Sequence, residues 1–186
     1  MINSYHHISA IAGDIQKNID FYTNILGLKM VKMTVNFDDP STYHLYYGDE
    51  VGSPGTLITF FMWPNGEKGR QGIQQVNSIS LKIPKSAIAY WVERFTQKNI
   101  KYTLPISRFG EKFISIKDFD GLNLELVGVE GIEDLKTYAK SDVPEEQAIR
   151  GIYGSTIWAE SLEVTELIIK KWVSGLLSKY SLTVSW

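Results

Sequence analysis

Cysteine is absent from the 186 residues of this chain. A disulfide scaffold, a thiolate zinc site and a cysteine nucleophile are therefore excluded within this sequence. No apolar run approaches the roughly 18 residues of a membrane-spanning helix, and the first residues lack the basic and apolar regions of a signal peptide. These absences predict a cytoplasmic protein with no membrane partner.

The chain also lacks an excess of charge of either sign. It has 19 Lys and Arg against 21 Asp and Glu, a formal net charge of -2, without long blocks of like charge. Nucleic acid is therefore not expected as a partner. Aromatic residues make up 12% of the sequence. That share fits a cavity for an aromatic ligand, and it fits equally well sheets that are packed by Tyr and Phe.

Histidine is scarce, and two of the three histidines are adjacent near the start of the chain. His6 and His7 begin the run His6-His7-Ile8-Ser9-Ala10-Ile11, which is typical of a strand. Successive strand side chains point to opposite faces, so we expect only one of the two imidazoles to face a cavity. Ser9 is expected on the same face as His7.

The first 63 residues predict the order β-α-β-β-β. Asp14 is the expected N-cap of a helix that Gly27 ends, since apolar residues between them recur at helical spacing. Three strands are expected to follow, over residues 28–37, 42–48 and 56–63.

The same order recurs about 70 residues later, which makes an internal repeat. A strand over 77–83 leads into a helix that opens at 84–86, and strands are expected over 101–106, 112–116 and 122–129. The repeat predicts an α+β fold of paired β-α-β-β-β modules whose curved, barrel-like mixed sheets complete each other. One domain is expected over 1–130, with modules 5–63 and 77–129.

A third module begins after this domain and is expected to be incomplete. Residues 131–148 are polar and acidic and predict a linker. A strand over 149–157 and a helix over 163–177 then start a module, 149–186, that lacks most of its sheet. The apolar face of this helix would have no sheet to cover it, which predicts a homo-oligomer formed through the third module.

Several stretches together carry a resemblance to a known family. They are His6–Ile11, Asp20–Tyr22 with Leu26–Leu28, Lys32–Pro40, Tyr43–Glu50 and Gly52–Thr56. This ordered set resembles the vicinal oxygen chelate superfamily of glyoxalases, bleomycin-resistance proteins and extradiol dioxygenases. Within it, the chain is most similar to the hydroquinone-type ring-cleaving dioxygenases, over residues 5 to about 157.

The resemblance implies an iron or manganese enzyme with four modules. Such enzymes hold Fe(II), or in some cases Mn(II), with two His and one Glu, which leaves positions for an aromatic diol and O₂. By resemblance the first ligand is His7, and the other two belong to a fourth module that this chain does not contain. The chain is therefore expected to be a truncated form: active with Fe(II) or Mn(II) if a second chain completes the site, and inactive without bound metal if it is alone.

Four other residues are candidates for supporting or alternative roles. Glu125 is the one charged residue in the apolar strand 122–126, where simpler two-module relatives carry a glutamate ligand, although no second histidine stands near 77–79. His6 and Ser9 are expected beside the ligand His7, and His44 in the wall of the cavity. The third module opens with Tyr153 where a ligand histidine would stand, which argues against iron there.

Two other functions remain open at this point. One is a non-catalytic module, or gene remnant, that binds a small molecule or nothing. The other is a glyoxalase-like metal-dependent isomerase or transferase that uses His7 and Glu125. No phosphate-binding loop competes, because the glycine-rich run 48–55 lacks a following helix and a Lys-Ser or Lys-Thr pair.

Overall fold

The computed structural model of the protein describes residues 5–172. The predicted helix 163–177 is present as α3 (Leu162–Trp172), and its last five predicted residues lie outside the described residues, as does the rest of the predicted third module. Within the described residues, no helix has the length and apolar character needed to cross a membrane.

The first module is a four-stranded mixed sheet with a helix on its core side. Its elements are β1 (His7–Ala12), α1 (Ile15–Asp20) continued by a π-helical turn (Phe21–Ile25), β2 (Lys29–Val35), β3 (Tyr43–Gly48) and β4 (Leu57–Met62). The strand order is β1-β4-β3-β2. β1 runs parallel to β4, and the other neighbours are antiparallel. The predicted order β-α-β-β-β is confirmed.

Both predicted ends of the first helix are confirmed. The Asp14 carboxylate accepts a hydrogen bond from the Lys17 backbone N–H at 3.0 Å, which is an N-cap. Gly27 has a φ of +70°, and a Cβ there would lie 2.5 Å from the side chains of Ser141 and Val143. Glycine is therefore required by the backbone conformation and by the close approach of a distant segment.

The second module forms a five-stranded sheet that includes a strand from beyond residue 149. Its elements are β5 (Gln75–Pro84), α2 (Ile88–Gln97), β6 (Ile106–Arg108), β7 (Glu111–Lys117), β8 (Asn123–Val129) and β9 (Ile152–Trp158). The order is β6-β7-β8-β5-β9, with β5 parallel to β8 and antiparallel to β9. The strand that was predicted to open a third module is therefore part of the sheet of the second.

The predicted strand over 101–106 is wrong. Only an isolated bridge joins Tyr102 to Ile116, and regular pairing begins at Ile106. Pro105 has no N–H to donate to a ladder, which explains the late start. Phe109 and Gly110, at φ values of +54° and +84°, then make the tight turn from β6 into β7.

The helix of each module contacts the other module, and the two sheets do not close into one barrel. The Tyr22 hydroxyl donates to Asp118 at 3.0 Å, and the Phe21 ring meets that of Phe119 edge-on. From the second module, Arg94 Nε donates to the carbonyl of Ile25 at 2.8 Å. A single core cluster joins apolar residues of both sheets and both helices. The α+β class and the paired modules with mixed sheets are confirmed.

The segment that was predicted as a linker packs against α2. Val143 and Ala148 are buried. Arg94 Nη2 lies 2.6 Å from an Asp142 carboxylate oxygen, and the Trp91 indole N–H donates to the carbonyl of Gln147 at 2.9 Å. These contacts attach residues 141–148 to the second module.

Candidate functional site

A polar surface lies on the side of the first sheet that faces away from the core. Apolar residues of β1, β3 and β4 alternate with it and enter the core cluster. On the outer side, Thr59 of β4 lies opposite Ser9 of β1 on one flank and opposite Tyr46 of β3 on the other. We call this surface, formed by His7, Ser9, His44, Tyr46 and Thr59, the outer face of the first sheet.

Four of these side chains form one continuous hydrogen-bonded chain. Ser9 Oγ lies 2.9 Å from Thr59 Oγ1, and His44 Nε2 lies 2.9 Å from the same oxygen. The Tyr46 hydroxyl lies 3.0 Å from His44 Nδ1. Thr59 is fully buried and Ser9 is exposed, so the chain runs from the surface into the sheet.

The environment of His44 keeps its imidazole neutral near pH 7. Burial lowers the pKa of His44, and the nearby charges of His7 and Lys32 lower it further. The His44 ring contacts those of Phe61 and Tyr46, with centroids 3.9 and 4.2 Å away. A neutral imidazole has one donor and one acceptor nitrogen. His44 must therefore donate to one of Thr59 and Tyr46 and accept from the other.

The His6 and His7 rings touch each other, which differs from the expected orientation to opposite faces. Their Nδ1 atoms are 3.0 Å apart and the rings meet edge-on. Strand alternation does not apply to this pair, because β1 begins at His7 and His6 precedes it. Within residues 5–172, Nε2 of His7 makes no hydrogen bond. One nitrogen of His7 is thus oriented by a neighbour while the other is available as a ligand.

Glu125 is engaged in an ion pair in the second sheet. Arg108 contacts both of its carboxylate oxygens, at 3.2 and 2.5 Å, and the Ser80 hydroxyl donates to Oε2 at 2.6 Å. Glu125 is buried, whereas Arg108 remains about a quarter exposed at its side chain. A metal ion at Glu125 would have to displace the guanidinium of Arg108.

A three-ligand metal site does not form among the described residues. Across residues 5–172, no three His, Asp or Glu side chains lie together in an arrangement that could hold a metal ion. His7 belongs to the first sheet and Glu125 to the second, and the residues that alternate with each enter the shared core. The part of the chain that is described therefore offers His7 without the further ligands that the family implies.

Thr59, Tyr46 and Lys32 were missed by the sequence reasoning. Lys32 Nζ lies 5.7 Å from the centroid of the Tyr46 ring, beside the outer face of the first sheet. Thr59 stands within the apolar run Leu57–Met62, where nothing in the local pattern separates it from a core residue. The register of β3 against β4, which pairs Thr59 with Tyr46 and Phe61 with His44, was needed to bring Thr59 within reach of His44.

Replacing Thr59 by valine tests the hydrogen-bonded chain. Valine keeps the shape of the side chain but removes the oxygen that Ser9 and His44 share. We expect a loss of about 1 kcal/mol in unfolding free energy, which is modest because solvent can reach part of the Ser9 and His44 side chains. Urea denaturation measures this loss, and the ¹⁵N shifts of His44 report its altered tautomer equilibrium. Ser9→Ala removes only the exposed end and should cost less than about 0.5 kcal/mol. Equal costs for both variants would contradict a chain centred on Thr59.

With the outer face described, comparison with known proteins places the chain in a family. Residues 4–126 match the model of the Glyoxalase/Bleomycin resistance protein/Dioxygenase superfamily. The chain belongs to this superfamily, as its paired β-α-β-β-β modules also indicate.

Its relatives include proteins named as ring-cleaving enzymes. The chain is 47% identical over 171 residues to a Bacillus subtilis protein named "Putative ring-cleaving dioxygenase MhqO", a match that covers 92% of this chain and 54% of that protein. It is 30% identical to the chlorohydroquinone/hydroquinone 1,2-dioxygenase of Sphingobium indicum, covering 89% of this chain and 51% of that enzyme.

A solved structure of a Bacillus subtilis protein superposes with a TM-score of 0.83. It is 44% identical to this chain and is matched over 90% of this chain and 54% of its own length. The chain therefore spans about half the length of the relatives that it matches.

Proposed function

We propose that this chain carries the first part of the active site of a metal-dependent ring-cleaving dioxygenase that acts on hydroquinone- or catechol-type aromatics. His7 is the metal ligand that the chain contributes, and Fe(II) or Mn(II) is the expected metal. The observation that carries the proposal is the free Nε2 of His7 beside the hydrogen-bonded chain of Ser9, Thr59, His44 and Tyr46. The names of the relatives at 47% and 30% identity support the reaction class. A cytoplasmic location is part of the same proposal.

The role of the hydrogen-bonded chain is to orient a ring that carries hydroxyl groups. The Ser9 and Tyr46 oxygens are its two ends, and the neutral His44 between them can transmit either hydrogen-bond direction. If Tyr46 donates inward, Ser9 is left with a proton to donate outward; the reverse arrangement leaves the Tyr46 proton free. The pair of ends can therefore serve both a phenol and a phenolate oxygen.

Completion of the metal site requires groups from outside the described residues. In our proposal these come from further chain of the kind found in the longer relatives, or from a second copy. Self-association through the third module belongs to the same proposal, because Val164 and Leu167 of α3 are each 58% exposed.

The proposal is tested by completing the protein. The chain is purified alone and after co-expression with the C-terminal half of the 47% identical Bacillus subtilis relative. Iron and manganese content are then measured, together with O₂ uptake on hydroquinone and catechol. We expect negligible metal and uptake for the chain alone, and close to one metal ion with measurable uptake for the complex. Sedimentation velocity establishes how many copies are present in each sample.

Two variants separate the metal ligand from its neighbours. His7→Ala in the complex should lower metal affinity by at least about a hundredfold, whereas His6→Gln, one residue away, should lower it by less than about tenfold. Undiminished metal binding in the His7 variant would overturn the ligand assignment. If Glu125→Gln abolished metal binding while His7 was intact, the glyoxalase-like alternative would be favoured instead.

A further inference from the structure

A cleft lies where the loop before β4 meets β5, the 131–150 segment and β9, and His7 is not among its lining residues. It has a volume of about 410 Å³. Its walls come from the loop before β4, from β5, from the 131–150 segment and from the start of β9. It is lined in part by Pro54, Lys82, Leu135, Arg150 and Ile152. We call it the junction cleft. Its volume is within the range of pockets that take small organic ligands, and three of these lining residues are apolar.

The charges of the junction cleft are mostly positive. Lys82, Lys136 and Arg150 line it, against the single acidic residue Asp49. The Asp49 carboxylate is already used by its own loop, since it accepts backbone N–H bonds from Val51 at 3.1 Å and Ser53 at 2.8 Å. Burial by itself raises the pKa of Asp49, but the hydrogen bonds from Ser53, Val51 and Gly52 outweigh it and hold the pKa below its usual value. Asp49 therefore stays ionised and supplies one negative charge against three cations, but it forms no ion pair with any of them among the described residues.

Lys82 has no counter-ion in the part of the chain that is described. It stands on β5, its side chain is partly buried, and its ammonium group has no ion pair within residues 5–172. Burial, the sole cause acting on it, lowers the pKa of Lys82.

Arg150 adds a second cation that no carboxylate balances. It is 4% exposed, and its guanidinium donates to the backbone carbonyls of Leu135 and Glu145. Its Nε is buried and has no hydrogen-bond partner among the described residues. Carbonyl groups satisfy donors without cancelling charge, so two cations remain near the cleft at a cost in desolvation. A protein that keeps such charges gains stability when an anion binds between them.

We propose that the junction cleft binds a small organic oxyanion, a carboxylate or a phosphate ester, with Lys82 as its main charged contact and Arg150 as the supporting cation. Pro54, Leu135 and Ile152 supply the apolar wall for the rest of the ligand. Neither His7 nor the hydrogen-bonded chain centred on Thr59 lines the cleft, so the proposed anion site uses different residues from the proposed metal site.

The test measures anion binding to the purified chain by titration calorimetry and thermal denaturation. The probes are benzoate and inorganic phosphate, with uncharged benzamide as the control, all at one ionic strength set with NaCl. We expect a saturable rise in the melting temperature with benzoate, with phosphate or with both, and none with benzamide. Benzoate alone would define a carboxylate site, and phosphate alone a phosphate site. The absence of a saturable effect from either anion would overturn the proposal.

Two variants with the same change of charge locate the binding. Lys82→Met should weaken anion binding by at least about tenfold, because it removes a charge-assisted hydrogen bond. Lys117→Met should leave affinity unchanged, because Lys117 is exposed at the end of β7 and does not line the cleft. Without anion, the Lys82 variant should be as stable as the parent or more stable, because a poorly compensated buried charge is lost. Equal losses of affinity in both variants would contradict the assignment.

A measurement on the unaltered chain removes any dependence on folding of the variants. Amine-reactive labelling followed by mass spectrometry gives the rate at which each lysine reacts. Saturating anion should slow the labelling of Lys82 by at least about fivefold while Lys117 reacts at its original rate. Unchanged labelling of Lys82 at an anion concentration that saturates calorimetry would overturn its role in the cleft.

Discussion

Replacing Gly151 by alanine is expected to lower the free energy of unfolding by about 3 kcal/mol or more. Gly151 has a φ of +114°, in the region that residues with a Cβ rarely adopt. An added Cβ would lie 2.6 Å from the carbonyl oxygen of Gly55. That oxygen belongs to the backbone and accepts the N–H of Ile152 at 2.7 Å, so it cannot swing aside as a flexible side chain would.

The cost is large because Gly151 lies where three parts of the chain meet. Its own carbonyl accepts the N–H of Lys82 at 2.9 Å, and the N–H of Arg150 is bound by the Lys82 carbonyl at 2.8 Å. Relief of the contact with Gly55 must therefore move β5, the loop before β4, or the start of β9. Each of these movements breaks backbone hydrogen bonds that are shared between modules.

Gly154, three residues further along in β9, provides the matched control. A Cβ at Gly154 would meet nothing within 4 Å, and its φ is not positive. Gly154→Ala should therefore be neutral or stabilise the protein by up to about 1 kcal/mol, because alanine restricts the unfolded chain. Urea denaturation of both variants gives the comparison. A Gly151 variant within about 1 kcal/mol of the parent would show that the junction can shift at little cost.

Replacing Arg108 by methionine is the second change with a large expected effect, also about 3 kcal/mol. The substitution leaves the Glu125 carboxylate buried, with the Ser80 hydroxyl as its remaining partner. The methionine retains apolar contact with the Phe113 ring, over which the guanidinium lies at 4.4 Å. Most of the loss is therefore electrostatic and not a loss of packing.

The two partners of this ion pair should respond unequally. Glu125→Gln leaves the Arg108 side chain, 27% exposed, able to take water, and the amide can still accept from Ser80, so about 1 kcal/mol is expected. The double variant Arg108→Met with Glu125→Leu should regain most of the stability lost by Arg108→Met alone, since no buried charge is left unpaired.

An exposed ion pair of the same kind is the control for Arg108. Lys85 and Glu130 approach to 2.6 Å but are 53% and 76% exposed, so Lys85→Met should have little effect on unfolding. If Arg108→Met cost no more than Lys85→Met, the carboxylate of Glu125 would be stable without its guanidinium. In that event its availability to a metal ion would have to be reconsidered.

Local signals in the sequence were sufficient to predict the modules. The N-cap at Asp14 and the helix end at Gly27 depend on the backbone of a few neighbouring residues, which the sequence specifies directly. The strand predicted over 101–106 is wrong because it includes Pro105, which has no N–H to donate to a neighbouring strand.

Pairings between distant segments were not predictable in this way. The hydrophobic periodicity of the sequence does not indicate that β9 pairs with β5. Nor does it indicate that Arg108 contacts Glu125 across the second sheet. Thr59 is hidden for the same reason, because its apolar neighbours make it resemble a core residue until the register with Ser9 and His44 is known. For the candidate site, the resemblance therefore singled out His7, while the groups around it required the structure.

The pairing of β9 with β5 has a consequence for the order in which the protein folds during synthesis. The strand pairs of the first sheet all lie within residues 7–62, so their pairing needs no later part of the chain. The second sheet waits for residues 152–158 to reach β5, over a long loop whose closure costs entropy and slows folding. Until then one flank of β5 has unpaired backbone groups, and the nascent chain is most prone to aggregate in that interval.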